Sequence, residues 1–309
     1  MKAYIVDYTL HAGKWIYKGY QNAFRELGYD VVPYSNFDQI DKNDKDFLLL
    51  TTDFFFEGDI NSRHEVDHAY DIVSRSHKTF MHVQPHEYPM PWGGHLNYIS
   101  EVKHTDVEKL NEIDNLKLWT FSDGLEHYKV WKNVSTIPLA FDHISYQPIK
   151  DDRFSKLDVC FVGGWADNGF NEKKRIMIDI FSRFMNSDLE CGVFINKNIS
   201  HEDECRLLFN SKMSLNVHDA YQRILSYDCN ERTYKSLGLN GLMVSDSNKQ
   251  LSRLFPDIKT TLDADEMLQM TKDVLSLTEA ERNDIKEINR EVILNNHCYT
   301  HRAKQMLEL

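Results

Sequence analysis

The chain has 309 residues, 41% of them hydrophobic and 12% aromatic, which suffices for two packed domains and argues against an intrinsically disordered chain. Its net charge is −12, and both halves are acidic, which argues against dominant nucleic-acid phosphate binding but leaves a local basic groove open. Five scattered cysteines without paired spacing, no signal peptide and no apolar run of membrane-span length predict a reduced, cytoplasmic protein without membrane insertion.

Short apolar runs alternate with segments of helical spacing through the first half of the chain. The predicted strands are residues 3–6, 30–34, 47–50, 79–83 and 116–121, and the predicted helices are 15–27, 64–74 and 125–131. This β-α-β alternation is typical of a mostly parallel, doubly wound sheet. An irregular segment containing proline follows, so we place the end of an N-terminal domain at about residue 145.

The second half repeats the pattern. The predicted strands are residues 159–162, 192–195, 213–217 and 242–245, and the predicted helices are 172–184, 200–209 and 278–296. Ser200 and Thr278 precede two of these helices with the spacing of capping boxes. The sequence therefore predicts two Rossmann-like, doubly wound α/β domains, 1–145 and 146–309. We expect them to face each other across a cleft at the carboxyl ends of their strands, where such folds bind ligands.

The stretch from Asn230 to Asp246, NERTYKSLGLNGLMVSD, combines a polar loop, a short helix, a turn and a buried strand. Its loop and first helical turn carry Asn230, Arg232 and Lys235. Two cations at the start of a helix oppose the local helix dipole and suit an anionic ligand instead. The sequence therefore predicts a phosphate-bearing substrate at this point.

Three further features of the second half suit the same substrate, and each has a structural alternative. Gly163 and Gly164 lie between a strand and a helix, where glycines let the backbone approach a phosphate or merely form a tight turn. Arg175, in the first turn of that helix, could reach a pyrophosphate or lie in solvent. His218 ends a predicted strand, which is a common place for site residues, or it hydrogen-bonds within a loop.

Candidate residues on the acceptor side lie in loops of the first half. The loop after the first strand carries His11 and Gly13, and Asp53 follows another strand. Either His11 or Asp53 could act as a general base, although Asp53 could instead cap a turn.

A long loop over residues 84–97 contains His86, Tyr88 and Trp92, whose rings suit a sugar or base acceptor or pack the loop itself. The HEVDH segment at 64–68 matches a zinc-site pattern, but its central Asp and the lack of a clear third ligand favour a solvated helix face. We therefore expect no metal site.

Four stretches of the chain resemble the GT-B glycosyltransferases, with the closest likeness to the CgeB-like branch of their group 1 clan. These stretches are 137–142 with Tyr146 and Pro148, which resemble an interdomain signature; 159–164, the strand and glycine loop that open the donor domain; 211–246, the donor-site block; and 297–302, in the terminal helix. The resemblance covers most of residues 135–309 and is looser over 1–134.

The resemblance implies an enzyme that transfers a hexosyl or pentosyl group from a nucleoside-diphosphate sugar, such as a UDP-sugar, without a bound metal or other cofactor. The donor would lie on the second domain and the acceptor on the first. Carried over position by position, Asn230 and Arg232 hold the diphosphate, Gly163 and Gly164 give it room, and Tyr234 lines the nucleoside pocket.

One residue departs from the family pattern, because Lys235 stands where the clan places a Glu that usually binds the ribose hydroxyls. Lysine can only donate hydrogen bonds. Either Lys235 moves to the phosphates, or another residue holds the ribose, or donor binding is altered. Together with Arg232, Lys235 would then stabilise the charge on the leaving diphosphate. The departure also keeps open a non-catalytic nucleotide- or sugar-binding module.

The acceptor is less well defined by the sequence. A hydroxyl on a glycan or small molecule fits the acidic composition. The alternative is a hydroxylated base in DNA, as in phage DNA glycosyltransferases of the same architecture. The sequence leaves open the donor sugar and base, the stereochemical course and the oligomeric state.

Overall fold

The computed structural model describes residues 1–8, 12–87, 99–164 and 172–309, without the side chain of Glu172. The chain divides into two compact units. The first comprises Met1–Pro138 with Tyr299–Leu309, and the second comprises Leu139–Cys298. Compared with the predicted domains, residues 139–145 belong to the second unit and the last helix belongs to the first.

The first unit is a parallel sheet with helices. Its strands are β1 (Lys2–Val6), β2 (Asp30–Tyr34), β3 (Leu48–Thr52), β4 (Lys78–His82), β5 (Leu116–Thr120) and β6 (Ser135–Thr136). Its helices are α1 (Gly13–Glu26), α2 (Arg63–Arg75), α3 (His104–Leu110) and, from the end of the chain, α11 (Tyr299–Glu308). The predicted helix over 125–131 is wrong, since only a short 3-10 turn forms there, at Leu125–His127.

The strand order of this sheet is β2-β1-β3-β4-β5-β6, and all its pairings are parallel. The chain moves outward from β1 in one direction to β2 and in the other to β3, so the order reverses between β1 and β3. Tyr20 lies at the core of the unit, with its ring centroid 5.5 Å from Trp119 and 4.9 Å from Tyr299. This aromatic contact docks α11 on α1.

The second unit is also a parallel sheet with helices. Its strands are β7 (Val159–Gly163), β8 (Cys191–Ile195), β9 (Met213–Asn216), β10 (Met243–Asp246) and β11 (Thr260–Thr261). Its helices are α4 (Glu172–Met185), α5 (His201–Asn210), α6 (Ala220–Leu225), α7 (Glu231–Leu239), α8 (Lys249–Leu254), α9 (Ala264–Leu275) and α10 (Glu279–Asn296). The strand order is β11-β10-β9-β7-β8, which reverses between β7 and β9. The prediction of two doubly wound α/β domains is confirmed.

Local hydrogen bonds explain where several helices begin. The Ser200 hydroxyl accepts from the backbone N–H of Asp203, and Thr278 forms a full capping box, as predicted. Ser62 forms the same box with Glu65 at the start of α2, so the Glu of the HEVDH segment is a helix-capping residue. Among the described residues no group of three His, Cys, Asp or Glu side chains is placed to hold a metal ion.

The five cysteines, all within the described ranges, form no disulfide, and all except Cys191 are buried. This agrees with their interpretation as reduced residues of the core. Within the part of the chain that the structure describes, no helix is long and apolar enough to cross a bilayer.

Candidate functional site

The reversal point of the second sheet contains a half-buried cation, Arg232. Strands β7 and β9 pair only at Val159 with Met213 and Cys160 with Ser214, and then separate. The Arg232 guanidinium bridges the gap, because its Nε donates to the Val162 carbonyl at 2.8 Å and its Nη1 donates to the Val217 carbonyl at 3.0 Å. In open α/β sheets the crevice at such a reversal point is the usual ligand site.

Arg232 has no direct ion pair among the described residues. No carboxylate of that part of the chain forms an ion pair with it, and its third terminal atom, Nη2, makes no hydrogen bond there. The guanidinium carbon lies 4.5 Å from the centroid of the Phe161 ring. Burial lowers the pKa of Arg232 from its ordinary value, although the more distant Asp219, Glu204 and other carboxylates oppose that shift. A desolvated cation with an unused donor is suited to bind an anion.

Gly163, the last residue of β7, and Gly164 after it make room for side chains of the protein itself. A Cβ atom on Gly163 would lie 2.1 Å from Arg232 Nη2, and one on Gly164 would lie 2.6 Å from Asn196 Oδ1. Gly163 therefore allows the guanidinium to reach the strand. Direct contact of this backbone with a phosphate stays a prediction.

Asn230 fixes the position of Arg232 through the start of α7. Its Oδ1 accepts from the Thr233 N–H at 3.0 Å, and its Nδ2 donates to the Val217 carbonyl at 3.1 Å. Both ends of the amide are therefore engaged within the protein. The family resemblance assigns Asn230 to the diphosphate, whereas in the structure Asn230 is the N-cap of α7, two residues before Arg232.

Lys235 contacts carboxylates of its own unit, whereas one of the three alternatives derived from the sequence places it at the phosphates. Its Nζ lies 2.8 Å from Glu204 Oε1 and 4.0 Å from Glu231 Oε2, and 5.2 Å from the centroid of the Tyr146 ring. Burial acts to lower the pKa of Lys235, but the charges of Glu231 and Glu204 outweigh the effect of burial, so the pKa is raised. Two carboxylates therefore balance its charge, and a role in leaving-group stabilisation stays a prediction.

Two other donor-side assignments change for reasons of burial. Tyr234 is fully buried, with its ring centroid 5.9 Å from Phe255 and 6.4 Å from His297, so it packs the core instead of lining an open nucleoside pocket. Arg175 is exposed on α4. Two residues earlier, Lys173 is buried and forms an ion pair with Asp219.

Lys173 is a candidate that the sequence argument missed. Burial lowers its pKa, while Asp219 opposes that effect and the nearby charge of Arg232 adds to it. The signal was present in the helical spacing, because Lys173 lies one turn before the buried Met177 and on the same face as the buried Ile180. Arg175 lies on the other face.

His218 is fully buried just after β9. Its Nδ1 lies 2.6 Å from Asp246 Oδ1, and its backbone N–H donates to both oxygens of that carboxylate. The preceding residue, Val217, accepts from Arg232 through its carbonyl, so His218 lies next to a residue that contacts the cation. A role of His218 in donor binding stays a prediction.

Asp53 lies at the reversal point of the first sheet, directly after β3. It is buried, and its Oδ2 accepts from the backbone N–H of Gln84 at 2.8 Å. Burial raises the pKa of Asp53 to about 7; Glu57 adds to the rise and the Gln84 hydrogen bond opposes it. A carboxyl group with a pKa near neutrality is suited to general-base catalysis.

The other acceptor-side candidates are only partly described. Gly13 is the first residue of α1, where a Cβ atom would lie 2.4 Å from the Tyr8 ring. The Nε2 of His86 lies 2.9 Å from the Val102 carbonyl, and His86 lines an open cavity of about 420 Å³ with His104 and His127. His11, Tyr88 and Trp92 lie outside the described residues.

Residues 155–308 match the model of a family described as glycosyl transferase-like. No curated protein sequence matches the chain. Solved structures do match, including BGT of T4 phage in complex with UDP and Mn²⁺, with 13% identity, coverage of 100% of both chains and a TM-score of 0.59.

A structure described as the DNA-modifying enzyme β-glucosyltransferase, with and without uridine diphosphoglucose, shares 12% identity over 100% of this chain and 98% of its own, with a TM-score of 0.56. An E. coli structure described as trehalose-6-phosphate bound with UDP-2-fluoro glucose shares 11% identity over 97% of this chain and 78% of its own, with a TM-score of 0.57. At these identities the likeness establishes a shared fold.

Proposed function

This chain belongs to the glycosyl transferase-like family through residues 155–308 and has the GT-B fold, and on that premise we propose that it moves a sugar from a nucleoside-diphosphate donor to a hydroxyl acceptor. The observation that carries the proposal is the Arg232 guanidinium at the reversal point of the second sheet. It is half-buried, and it donates hydrogen bonds to β7 and to the residue that follows β9. Within the described residues it has no carboxylate ion pair.

The proposed reaction places negative charge on the departing diphosphate. Arg232 and Lys173 supply fixed cations there, and such preorganised electrostatic stabilisation is usually the largest contribution to catalysis. If the configuration is inverted, Asp53 in the first unit takes the proton from the acceptor hydroxyl as that oxygen attacks the sugar carbon. If the configuration is retained, no separate base is required.

We propose a UDP-sugar as the donor, because UDP or a UDP-sugar is present in the structures of several proteins with this fold. The two cations lead us to propose a reaction that needs no metal ion. BGT of T4 phage was studied with Mn²⁺, so turnover measured with and without a chelator is a necessary part of any assay.

For the acceptor we propose a hydroxyl of a soluble glycan or small molecule, consistent with the net charge of −12. A hydroxylated base in DNA is the second candidate, favoured by the full-length match to a DNA-modifying β-glucosyltransferase.

We also propose a reducing, cytoplasmic location, which the five unpaired cysteine thiols support.

Release of nucleoside diphosphate from a panel of nucleotide sugars tests the proposal. The purified chain is incubated with each donor and with glycan, small-molecule or hydroxymethylated-DNA acceptors. Lys173→Ala should reduce turnover strongly, whereas Arg175→Ala, on the exposed face of the same helix, should leave it unchanged. Donor binding without transfer to any acceptor would favour the non-catalytic binding module instead.

A further inference from the structure

His218 carries a buried hydrogen-bonding atom that no described residue contacts. The side chain is fully buried, and its Nε2 has no hydrogen-bond partner among the described residues. A buried polar group without a partner is destabilising, so native structures rarely keep one without a reason. A ligand that supplies the missing partner is one such reason.

Asp246 fixes the orientation of this ring. Its carboxylate receives the His218 backbone N–H and contacts Nδ1 at 2.6 Å, and Arg223 Nη1 lies 3.1 Å from its other oxygen. Burial acts to raise the pKa of Asp246, but His218 and Arg223 outweigh it and the pKa is lowered. The carboxylate is therefore ionised and holds the proton of the imidazole on Nδ1.

The tautomer that Asp246 favours decides what Nε2 can bind. An imidazole with its proton on Nδ1, directed at the Asp246 carboxylate, carries a lone pair on Nε2 and can accept a hydrogen bond there. An ionised phosphate oxygen also only accepts, whereas a hydroxyl group donates, so a hydroxyl is the partner that suits this tautomer.

The residues on either side of His218 contact the two cations of the anion site, Arg232 and Lys173. The two nitrogens of an imidazole direct their hydrogen bonds in diverging directions, so Nε2 faces away from Asp246. The neighbouring residues on either side are Val217, whose carbonyl holds Arg232, and Asp219, which pairs with Lys173. Asp228 also acts electrostatically on His218, but its carboxylate is hydrogen-bonded to Gln222 at 2.6 Å.

We propose that His218 Nε2 accepts a hydrogen bond from a hydroxyl group of the donor substrate, and that Asp246 is the positioning residue that keeps this atom an acceptor. The proposal rests on the proposed function, because it requires a nucleotide sugar at Arg232. Two parts of such a donor carry hydroxyl groups, the ribose and the transferred sugar. His218 would therefore contribute to the choice of donor rather than to the binding of phosphate.

Substitutions at the two residues separate this role from a merely structural one. His218→Gln offers a carbonyl oxygen near the Nε2 position, whereas His218→Asn can still pair with Asp246 but reaches no further. Asp246→Asn can donate to Nδ1, which moves the imidazole proton to Nε2 and removes the acceptor, as replacing the triad Asp by Asn does in serine proteases.

Affinities for UDP and for a UDP-sugar would be measured by calorimetry on the wild type and the three variants. We expect His218→Asn and Asp246→Asn to bind at least one of these two ligands roughly 3- to 10-fold more weakly than the wild type, which is the effect of one neutral hydrogen bond. His218→Gln should stay within about 2-fold of the wild-type affinity. Loss for both ligands assigns the hydroxyl to the ribose, and loss for the UDP-sugar alone assigns it to the transferred sugar. Equal affinities in all four proteins would overturn the proposal.

The proton position provides a readout that does not depend on any ligand. Nitrogen NMR of labelled imidazoles should show His218 protonated on Nδ1 in the wild type and on Nε2 in Asp246→Asn. A wild-type ring protonated on Nε2, or on both nitrogens, would refute the assignment. The wild type could show the expected tautomer and yet bind no nucleotide. In that case the proposed function fails, and with it the proposal that Nε2 accepts a hydrogen bond from the nucleotide sugar. Asp246 would still be established as the residue that sets the tautomer.

Discussion

Replacing Gly163 by alanine displaces Arg232 without removing its charge. The added methyl group would lie 2.1 Å from Nη2 and 2.7 Å from Cζ of the guanidinium, whereas ordinary contacts of a Cβ atom begin at about 3.4 Å. The backbone of residue 163 has no positive φ, so alanine is not strained there for conformational reasons. The guanidinium or the strand must therefore retreat by roughly 1.3 Å.

The size of the effect follows from the two anchoring hydrogen bonds. At 2.8 and 3.0 Å they cannot both survive a shift of this size. A misplacement of about 1 Å in a group that positions substrate can cost ~100-fold in rate, which corresponds to about 2.7 kcal/mol of transition-state stabilisation. Overpacking is expected to lower the free energy of unfolding by about 1–3 kcal/mol.

The assay compares kcat/KM for donor turnover, donor affinity and urea unfolding in the wild type and the variant. Gly192→Ala is the matched control, because a Cβ atom there would lie 2.9 Å from Leu157 Cδ1 in the same sheet, with no atom of Arg232 nearby. The control should lose comparable stability and keep its kcat/KM. The reasoning is refuted if Gly163→Ala keeps wild-type kcat/KM, or if it loses activity equally in an Arg232→Gln background, where the two changes should not add.

Three further results are expected. If Asp53 is the base, kcat/KM rises with pH through about 7, and this dependence disappears in Asp53→Asn. Because the pKa of Asp53 is raised in the folded state, Asp53 contributes stability at acid pH that is lost as the pH rises through about 7. The stability of Asp53→Asn relative to the wild type should therefore be higher at about pH 8 than at acid pH. Glu204→Ala removes the nearer of the two carboxylates beside the buried Lys235 and should cost about 3 kcal/mol in urea unfolding. Replacing Glu204 and Lys235 together by Leu and Met should cost less than the single change, and an unaffected single variant would contradict the pair. Lys173→Ala should weaken UDP binding about 10-fold or more, whereas Arg175→Ala should bind like the wild type; equal binding by both variants would remove Lys173 from the site.

The elements with strong hydrophobic patterns could be predicted from the sequence. Apolar runs located β1–β5 and β7–β10 but not the two-residue strands β6 and β11, and capping residues located the starts of α5 and α10. The helix predicted over 125–131 does not form because the aromatic residues of that segment bond to other parts of the first unit. Tyr128 hydrogen-bonds to Thr120, and the Trp131 indole donates to the Gln84 carbonyl, so an irregular loop places both rings in the core.

The candidate site was predicted in its central residue and less well around it. Arg232 follows from its place at the start of a helix in a strand-helix-strand unit, and Asp53 follows from its place after a strand. The partners of Lys235 and His218 do not follow, since Glu204 is 31 residues from Lys235 and Asp246 is 28 residues from His218. Such pairings depend on which elements the sheet brings together, and no local pattern encodes them.

Calorimetric titration of UDP and other nucleoside diphosphates into the wild type and Arg232→Gln tests the central claim most directly. Urea unfolding should first show that the variant is folded, since Arg232 also bridges β7 and β9. We predict that the wild type binds at least one nucleoside diphosphate and that the variant binds it roughly 10- to 100-fold more weakly, the effect of lost charge-assisted hydrogen bonds. A wild type that binds none of them, or a folded variant that binds as tightly as the wild type, would contradict an anion site at Arg232.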